Sequence, residues 1–233
     1  MVTSDIKILD YLKRLSKQDI VIELNGITYT FTKKEKIIIK GSFFLKDSCC
    51  MCGACCKDFG NAYFTTEYNN ITDEELKNSL FELPIKINGK DKILYYSKPL
   101  PVSKLRTLNL YGRTIKACRY CIENDGKNIC RIHKERSFTC KFPHIRIHEG
   151  KNSASLSVGE YGRNWTLKCP IKFKDVSNLI DENELRNRIE LLKDFYEKSK
   201  YLEIETFLPE IINELEKVLV EGITNKNIII KAK

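Results

Sequence analysis

The chain has 233 residues, 42% of them hydrophobic and 30% charged, enough for one domain, or one with an appendage, that has a real core and a charged surface. Its formal charge of +9 suggests a nucleic-acid or membrane partner, but its 40 basic and 31 acidic residues are interleaved with no block of five or six like charges, which disfavours nucleic acid. No window approaches the roughly 18 apolar residues of a membrane span, and MVTSDIKILDYLKRL lacks the basic start, unbroken apolar stretch and cleavage site of a signal peptide, so the expectation is a cytoplasmic protein without a membrane partner.

The predicted elements begin with an amphipathic helix from Ser4 to Lys17, with Ser4 as N-cap and Ile8, Leu12 and Leu15 at helical spacing. A β hairpin follows, DIVIEL and ITYTFT turning at Asn25-Gly26, the pair best able to adopt the positive φ angles of a type I′ turn. A third strand is expected at Lys36–Lys40, then a cysteine loop, then a short strand over NAYFTTEY. Thr72 followed by Glu75 predicts a capping box that opens a helix over DEELKNSLF. A second hairpin, IKI and KDKILYY, turns at Asn88-Gly89, and Pro99 and Pro101 then interrupt regular structure. After a turn-rich stretch containing Asp125-Gly126, Ile145–His148 and Ser153–Val158 alternate like paired strands around Gly150. Two C-terminal helices are expected, one with a face of Leu185, Ile189, Leu192 and Tyr196, the other with Ile211, Leu215 and Val218. The fold class is therefore α+β, a small metal-stabilised domain with β hairpins, cysteine-bearing loops and flanking N- and C-terminal helices. Its expected parts are an N-terminal helix and hairpin over 1–48, a cysteine-cluster metal-binding domain over 49–175, and a C-terminal helical region over 176–233 packed on the same body.

Five of the ten cysteines fall within eight residues, in CCMCGACC from Cys49 to Cys56. The others are Cys118, Cys121, Cys130, Cys140 and Cys169. Read from Cys49, the first group is C-x-x-C-x-x-C-C. Soft thiolates gathered in a tight loop suit zinc or iron. Disulfides are the alternative; they require an oxidising compartment or a hyperthermophile cytosol, and Cys55 and Cys56 make poor partners for each other because bridged Cα atoms sit about 4.4 Å or more apart. Adjacent side chains diverge, so Cys55 and Cys56 suit two metals, or two irons of a cluster, better than one ion. Metal also tempers the charge argument: a zinc or an oxidised 4Fe–4S cluster held by four thiolates carries about −2, so two sites would reduce the net charge to about +5.

The second group lies in CRYCIENDGKNICRIHKERSFTCKFPHIRI, where Cys121 and Cys130 bracket a turn and Arg136 to Pro143 reads R-x-x-x-C-x-x-P. Together the two groups resemble the YkgJ-like cysteine-cluster family, a zinc- or iron-chelating domain that pairs C-x-x-C-x-x-C-C with a later C…C-x-I-Y-x-x-R-P-x-x-C-R-x-P. Cys49, Cys52, Cys55 and Cys56 match the first motif with Gly53 in place; Cys121, Cys130, Ile132, Arg136, Cys140 and Pro143 match the second. The chain departs from the pattern at His133, Ser137 and Lys141, where the family has tyrosine, proline and arginine, and Cys50 and Cys118 are additional. The resemblance spans roughly residues 49 to 170.

It implies metal ligands at Cys49, Cys52, Cys55, Cys56, Cys121, Cys130 and Cys140; with the late Cys169 these make eight, enough for two tetrahedral four-thiolate sites. An iron–sulfur centre is the equal rival, since C-x-x-C-x-x-C with a remote Cys169-Pro170 is similar to the ferredoxin arrangement. Arg136 is expected to support the site by donating to a thiolate or a loop carbonyl, with a solvated surface arginine as the alternative. His133, His144 and His148 are secondary candidates, displaced by so many thiols. The chain has no G-x-S-x-G, H-E-x-x-H, phosphate loop, G-x-G-x-x-G or C-x-x-x-C-x-x-C. The reading is therefore a cytosolic protein whose thiolates chelate zinc or iron, leaning away from an enzyme. The alternatives are an iron–sulfur-dependent protein-modifying enzyme, since a family relative, flagellin lysine methylase, carries a similar cluster, and a metal delivery protein. A protein partner is not identifiable.

Overall fold

A computed structural model describes residues 7–33, 36–41, 53, 56, 60–110, 113–141, 145–150, 153–158 and 182–221. The N-cap expected at Ser4 therefore lies outside the described residues. Helix α1 (Lys7–Leu15) carries Ile8, Leu9, Leu12 and Leu15 on a buried face. Strands β1 (Ile20–Leu24) and β2 (Ile27–Phe31) form the first hairpin, with Asn25 and Gly26 at φ 51° and 76°, the type I′ pair that matches the strands' own twist.

Strand β3 (Lys36–Gly41) forms, but not beside the hairpin. It pairs in parallel with β12 (Ser153–Val158), which in turn pairs antiparallel with β11 (Ile145–Gly150). The strand expected over NAYFTTEY is confined to β4 (Asn61–Tyr63), and the following residues form helix α2 (Thr65–Asn69). The Glu67 carboxylate, buried in that turn, accepts the Phe64 N–H at 3.1 Å and so satisfies a backbone donor at the helix start. Burial holds the Glu67 carboxyl above the usual carboxylate range.

Helix α3 (Glu74–Ser79) is capped by Asp73, one residue later than expected, with the Asp73 carboxylate accepting the Leu76 N–H at 2.8 Å. Thr72 is engaged elsewhere: its amide and its hydroxyl both donate to Glu135, the hydroxyl at 2.6 Å. Phe81 leaves the helix and opens β5 (Phe81–Ile87), which turns through Asn88 and Gly89 into β6 (Lys90–Ser97). The main sheet is antiparallel in the order β2-β1-β5-β6-β4. Two small hairpins follow. One joins β7 (Thr107–Leu110) to β8 (Arg113–Lys116); the other joins β9 (Cys121–Asn124) to β10 (Lys127–Cys130) through Asp125 and Gly126, again both at positive φ. Helix α4 (Phe138–Lys141) is a single turn, and α5 (Glu182–Ser199) and α6 (Leu208–Glu221) close the fold.

The largest core joins distant parts of the chain. Ile8 and Leu12 of α1 meet Ile20 and Ile22 of β1, Ile87 and Leu94 of β5 and β6, Leu185, Ile189, Leu192 and Phe195 of α5, and Leu208, Ile211 and Leu215 of α6. Each such side chain contributes about 1.5–3 kcal/mol when fully buried, so α1, α5 and α6 belong to the same core as the sheet. Phe138 reaches this core from α4, stacked on Phe195 with ring centroids 3.7 Å apart and edge-on to Tyr11. That contact ties the turn bearing Cys140 to the body of the protein. A second, smaller core of Tyr63, Ile71, Leu76, Leu80, Tyr120 and Ile132 lies under α3 and against the cysteine-bearing hairpin. No helix among the described residues is long and apolar enough to cross a membrane.

Candidate metal centre

Cys56, Cys118, Cys121, Cys130 and Cys140 lie within the described residues and carry thiols, Cys121 buried and the others half-buried. Cys49, Cys50, Cys52, Cys55 and Cys169 lie outside them, as does His144. Gly53 and Cys56 are the described residues of the first group. Gly53 sits at φ +78°, and a Cβ there would stand 2.9 Å from Leu108 Cδ1 and 3.1 Å from Asn128 Cβ. Only a residue with no side chain lets the loop lie this close to β7 and β10. The Cys56 amide closes a turn onto the Gly53 carbonyl at 3.0 Å, and the Cys56 carbonyl accepts the Cys118 N–H at 2.7 Å. Cys56 of the first group is therefore held beside Cys118 of the second.

The second group is ordered by hairpin geometry. Cys121 and Cys130 are direct partners across β9 and β10. The Arg131 amide donates to the Tyr120 carbonyl at 2.9 Å, which makes the adjacent Cys121–Cys130 pair the non-hydrogen-bonded kind, with Cα atoms about 4.5 Å apart and side chains on one face. Two sulfurs on one tetrahedral zinc, each about 2.3 Å from the ion, lie roughly 3.8 Å apart. A non-hydrogen-bonded pair is suited to that span. Cys118 precedes Cys121 by one turn, its carbonyl accepting the Cys121 N–H at 2.8 Å. It packs against the second core, as Cys130 does, and against a third cluster of Leu108, Ala117 and Cys121, as Cys56 does. Cys140 stands next to Asn61 and Ser137: its sulfur donates to Asn61 Oδ1 at 3.5 Å and accepts from Ser137 Oγ at 3.7 Å.

The surroundings differ from thiol to thiol. Burial pushes the Cys130 thiol up, while a hydrogen bond from the Ile132 amide and the Arg136 guanidinium act the other way. An amide aimed at a sulfur two residues back and a nearby fixed cation both favour a thiolate over a thiol. Tyr63 is fully buried between these groups; burial foremost, then the neighbouring Cys140 and other groups, hold its hydroxyl far above the ordinary phenol range, so it stays a neutral donor. Arg106 Nη2 donates to Cys121 Sγ at 3.5 Å.

The donor set fits zinc or iron: thiolates from four separate segments, with N–H and O–H donors beside three of the sulfurs. Among the described residues, no three of His, Cys, Asp and Glu are gathered closely enough to hold an ion by themselves. Cys56, Cys121, Cys130 and Cys140 would act with the cysteines of the first group and Cys169, and such a metal would supply a charged tie between distant parts of the chain. Arg136 lies beside Cys130, close enough to bear on its thiol, and its Nε is buried without a partner among the described residues. His133 lies on the turn after β10, where partial burial of its ring and the nearby Arg136 hold its imidazole below the ordinary range. His148 lies on β11. Asn61, Tyr63, Arg106 and Ser137 are neighbours of the thiols to which the sequence reading gave no role at the site. Of these only Ser137 had a signal, its place inside the R-x-x-x-C segment; the rest arrive from distant strands.

The fold is thus α+β, with cysteines whose chemistry suits a metal. Residues 48–158, just under half of the chain, match the CxxCxxCC family model, described as "Putative zinc- or iron-chelating domain". Neither a curated protein nor a solved structure matches the chain.

Proposed function

We propose that this protein chelates zinc or iron through thiolates drawn from both cysteine groups, with Cys49, Cys52, Cys55, Cys56, Cys121, Cys130, Cys140 and Cys169 as ligands and Arg136 supporting the site. The observation that carries the reading is the close approach of the two groups, through Gly53 against Asn128 and the 2.7 Å bond from Cys118 to Cys56. Ligands brought together from loops far apart in the chain couple metal binding to folding, so the metal stabilises the domain as well as being bound by it. Thiolate ligands of this kind suit a reducing, cytosolic setting. Zinc sites and an iron–sulfur cluster both suit these ligands.

The test compares elemental analysis and visible absorption of aerobically and anaerobically purified protein. Colourless protein with about two zinc ions per chain identifies four-thiolate zinc sites. Brown protein with iron and acid-labile sulfide identifies a cluster. Protein that is folded and metal-free from both preparations, and that takes up neither metal on reconstitution, overturns the reading.

A further inference from the structure

Arg106 belongs to neither cysteine motif, yet its guanidinium reaches a sulfur. It lies immediately before β7. Its Nη2 donates to Cys121 Sγ at 3.5 Å and to Asn128 Oδ1 at 2.7 Å, and its Nη1 to Glu123 Oε2 at 3.0 Å. Cys121 and Glu123 alternate on β9, and their cross-strand partners are Cys130 and Asn128. All four side chains therefore share one face of the hairpin, and the guanidinium fork lies along it. The main chain is held as well, since the Arg106 carbonyl accepts the Ala117 N–H at 2.9 Å just ahead of Cys118. Asn128 is also the residue against which Gly53 packs. One side chain thus touches a thiol of the second group and the support of the first group's loop. Arg119 offers a contrast, since its guanidinium donates to the Lys98 carbonyl.

We propose that Arg106 is a positioning residue of the thiolate centre, holding Cys121 on the face it shares with Cys130 and offsetting the negative charge that four thiolates place on a metal. This rests on the reading of Cys121 as a ligand. The physical argument is geometric: two acceptors on opposite strands and a sulfur between them call for a planar fork, which an ammonium cannot supply. Donors that orient metal ligands are commonly worth about 10–100-fold in metal affinity.

The test uses the full chain loaded with Zn(II), with affinity measured by competition against a chromophoric chelator, and the Co(II)-substituted protein, whose thiolate-to-cobalt absorption reports on the sulfurs. R106Q is expected to weaken zinc binding by about 10–100-fold and to shift the charge-transfer band. R106K, which keeps the charge and loses the fork, should fall between R106Q and the wild type. R119Q should match the wild type in both readouts. A C121S variant that binds zinc as tightly as the wild type would overturn the ligand reading beneath the proposal. Weakened binding in C121S with wild-type affinity and spectrum in R106Q would overturn the role of Arg106 alone. Should R106Q fail to fold, R106K decides: wild-type affinity and an unshifted band there would refute the proposal, as would equal losses in R106K and R119Q.

Discussion

Gly53→Ala is the smallest perturbation that separates the two cysteine groups. Two costs add. At φ +78° an L-residue pays about 1–2 kcal/mol for the left-handed backbone. The new methyl would also stand 2.9 Å from Leu108 Cδ1 and 3.1 Å from Asn128 Cβ. Leu108 can rotate its terminal methyl away, but Asn128 Cβ is fixed to β10 and moves only if the strand moves. Overpacking of that kind costs about 1–3 kcal/mol, for a total of about 2–5 kcal/mol, or roughly 4–20 °C in Tm for a chain of this size. Gly126→Ala is the matched control. Gly126 has φ +73°, and a Cβ added there would meet nothing within 4 Å, so it bears the backbone cost alone, roughly 2–8 °C. Thermal unfolding of the metal-loaded proteins, followed by circular dichroism, should show G53A melting clearly below G126A, and G53A should also retain less metal. Equal melting points and equal metal content would refute the close approach of the first loop to β10.

Cys52→Ser and Cys55→Ser should each lower Tm strongly and reduce bound metal, whereas Cys50→Ser, additional to the family pattern, should do little; equal losses at all three positions would show the ligand assignment to be wrong. Glu135→Gln should weaken the link between the turn after β10 and the start of α3, by about 1 kcal/mol, because Glu135 accepts from the Thr72 hydroxyl and from the Thr72 and Asp73 amides. These bonds, the Thr72 hydroxyl foremost, hold the Glu135 carboxyl below its ordinary 4.5. A depressed carboxylate contributes stability that is present above pH 4.5 and lost as pH falls through the folded value. The Tm difference between the wild type and E135Q should therefore be full at neutral pH and close in acid; a difference independent of pH would contradict the assignment.

Two hairpins were legible because their turns, Asn25-Gly26 and Asn88-Gly89, carry their own chemistry, each placing two residues at positive φ; Asp125-Gly126 does the same but was read only as part of a turn-rich stretch. Helix faces were legible for a similar reason, since Ile8, Leu12 and Leu15, or Leu185, Ile189 and Leu192, repeat at the helical period and are buried where that period puts them. Thr65–Asn69 reads as strand by local propensity and is helical because the Glu67 carboxylate caps its start. The β7–β8 hairpin has no Asn-Gly or Asp-Gly dipeptide to announce it. The parallel pairing of β3 with β12 spans more than a hundred residues, and nothing local to either strand encodes it.

The cysteine spacing announced metal chemistry, and the family match over residues 48–158 agrees with it. What spacing could not convey is adjacency. Asn61 reaches Cys140 from β4, and Arg106 reaches Cys121 from the entry to β7; both contacts depend on how sheets and hairpins stack, which only the folded chain determines. Tyr63 is similarly ordinary in sequence and becomes notable only through burial beside the thiols.

X-ray absorption at the metal's K-edge, on the wild type and on C130S, tests most directly whether clustered thiolates, those of the second group included, are the metal's ligands. The account predicts a shell of four sulfurs about 2.3 Å from the metal in the wild type, and in C130S a lower average sulfur count, because a second-group ligand has been removed. A wild-type shell dominated by nitrogen or oxygen at about 2.0–2.2 Å, or a sulfur shell unchanged in C130S, would contradict it.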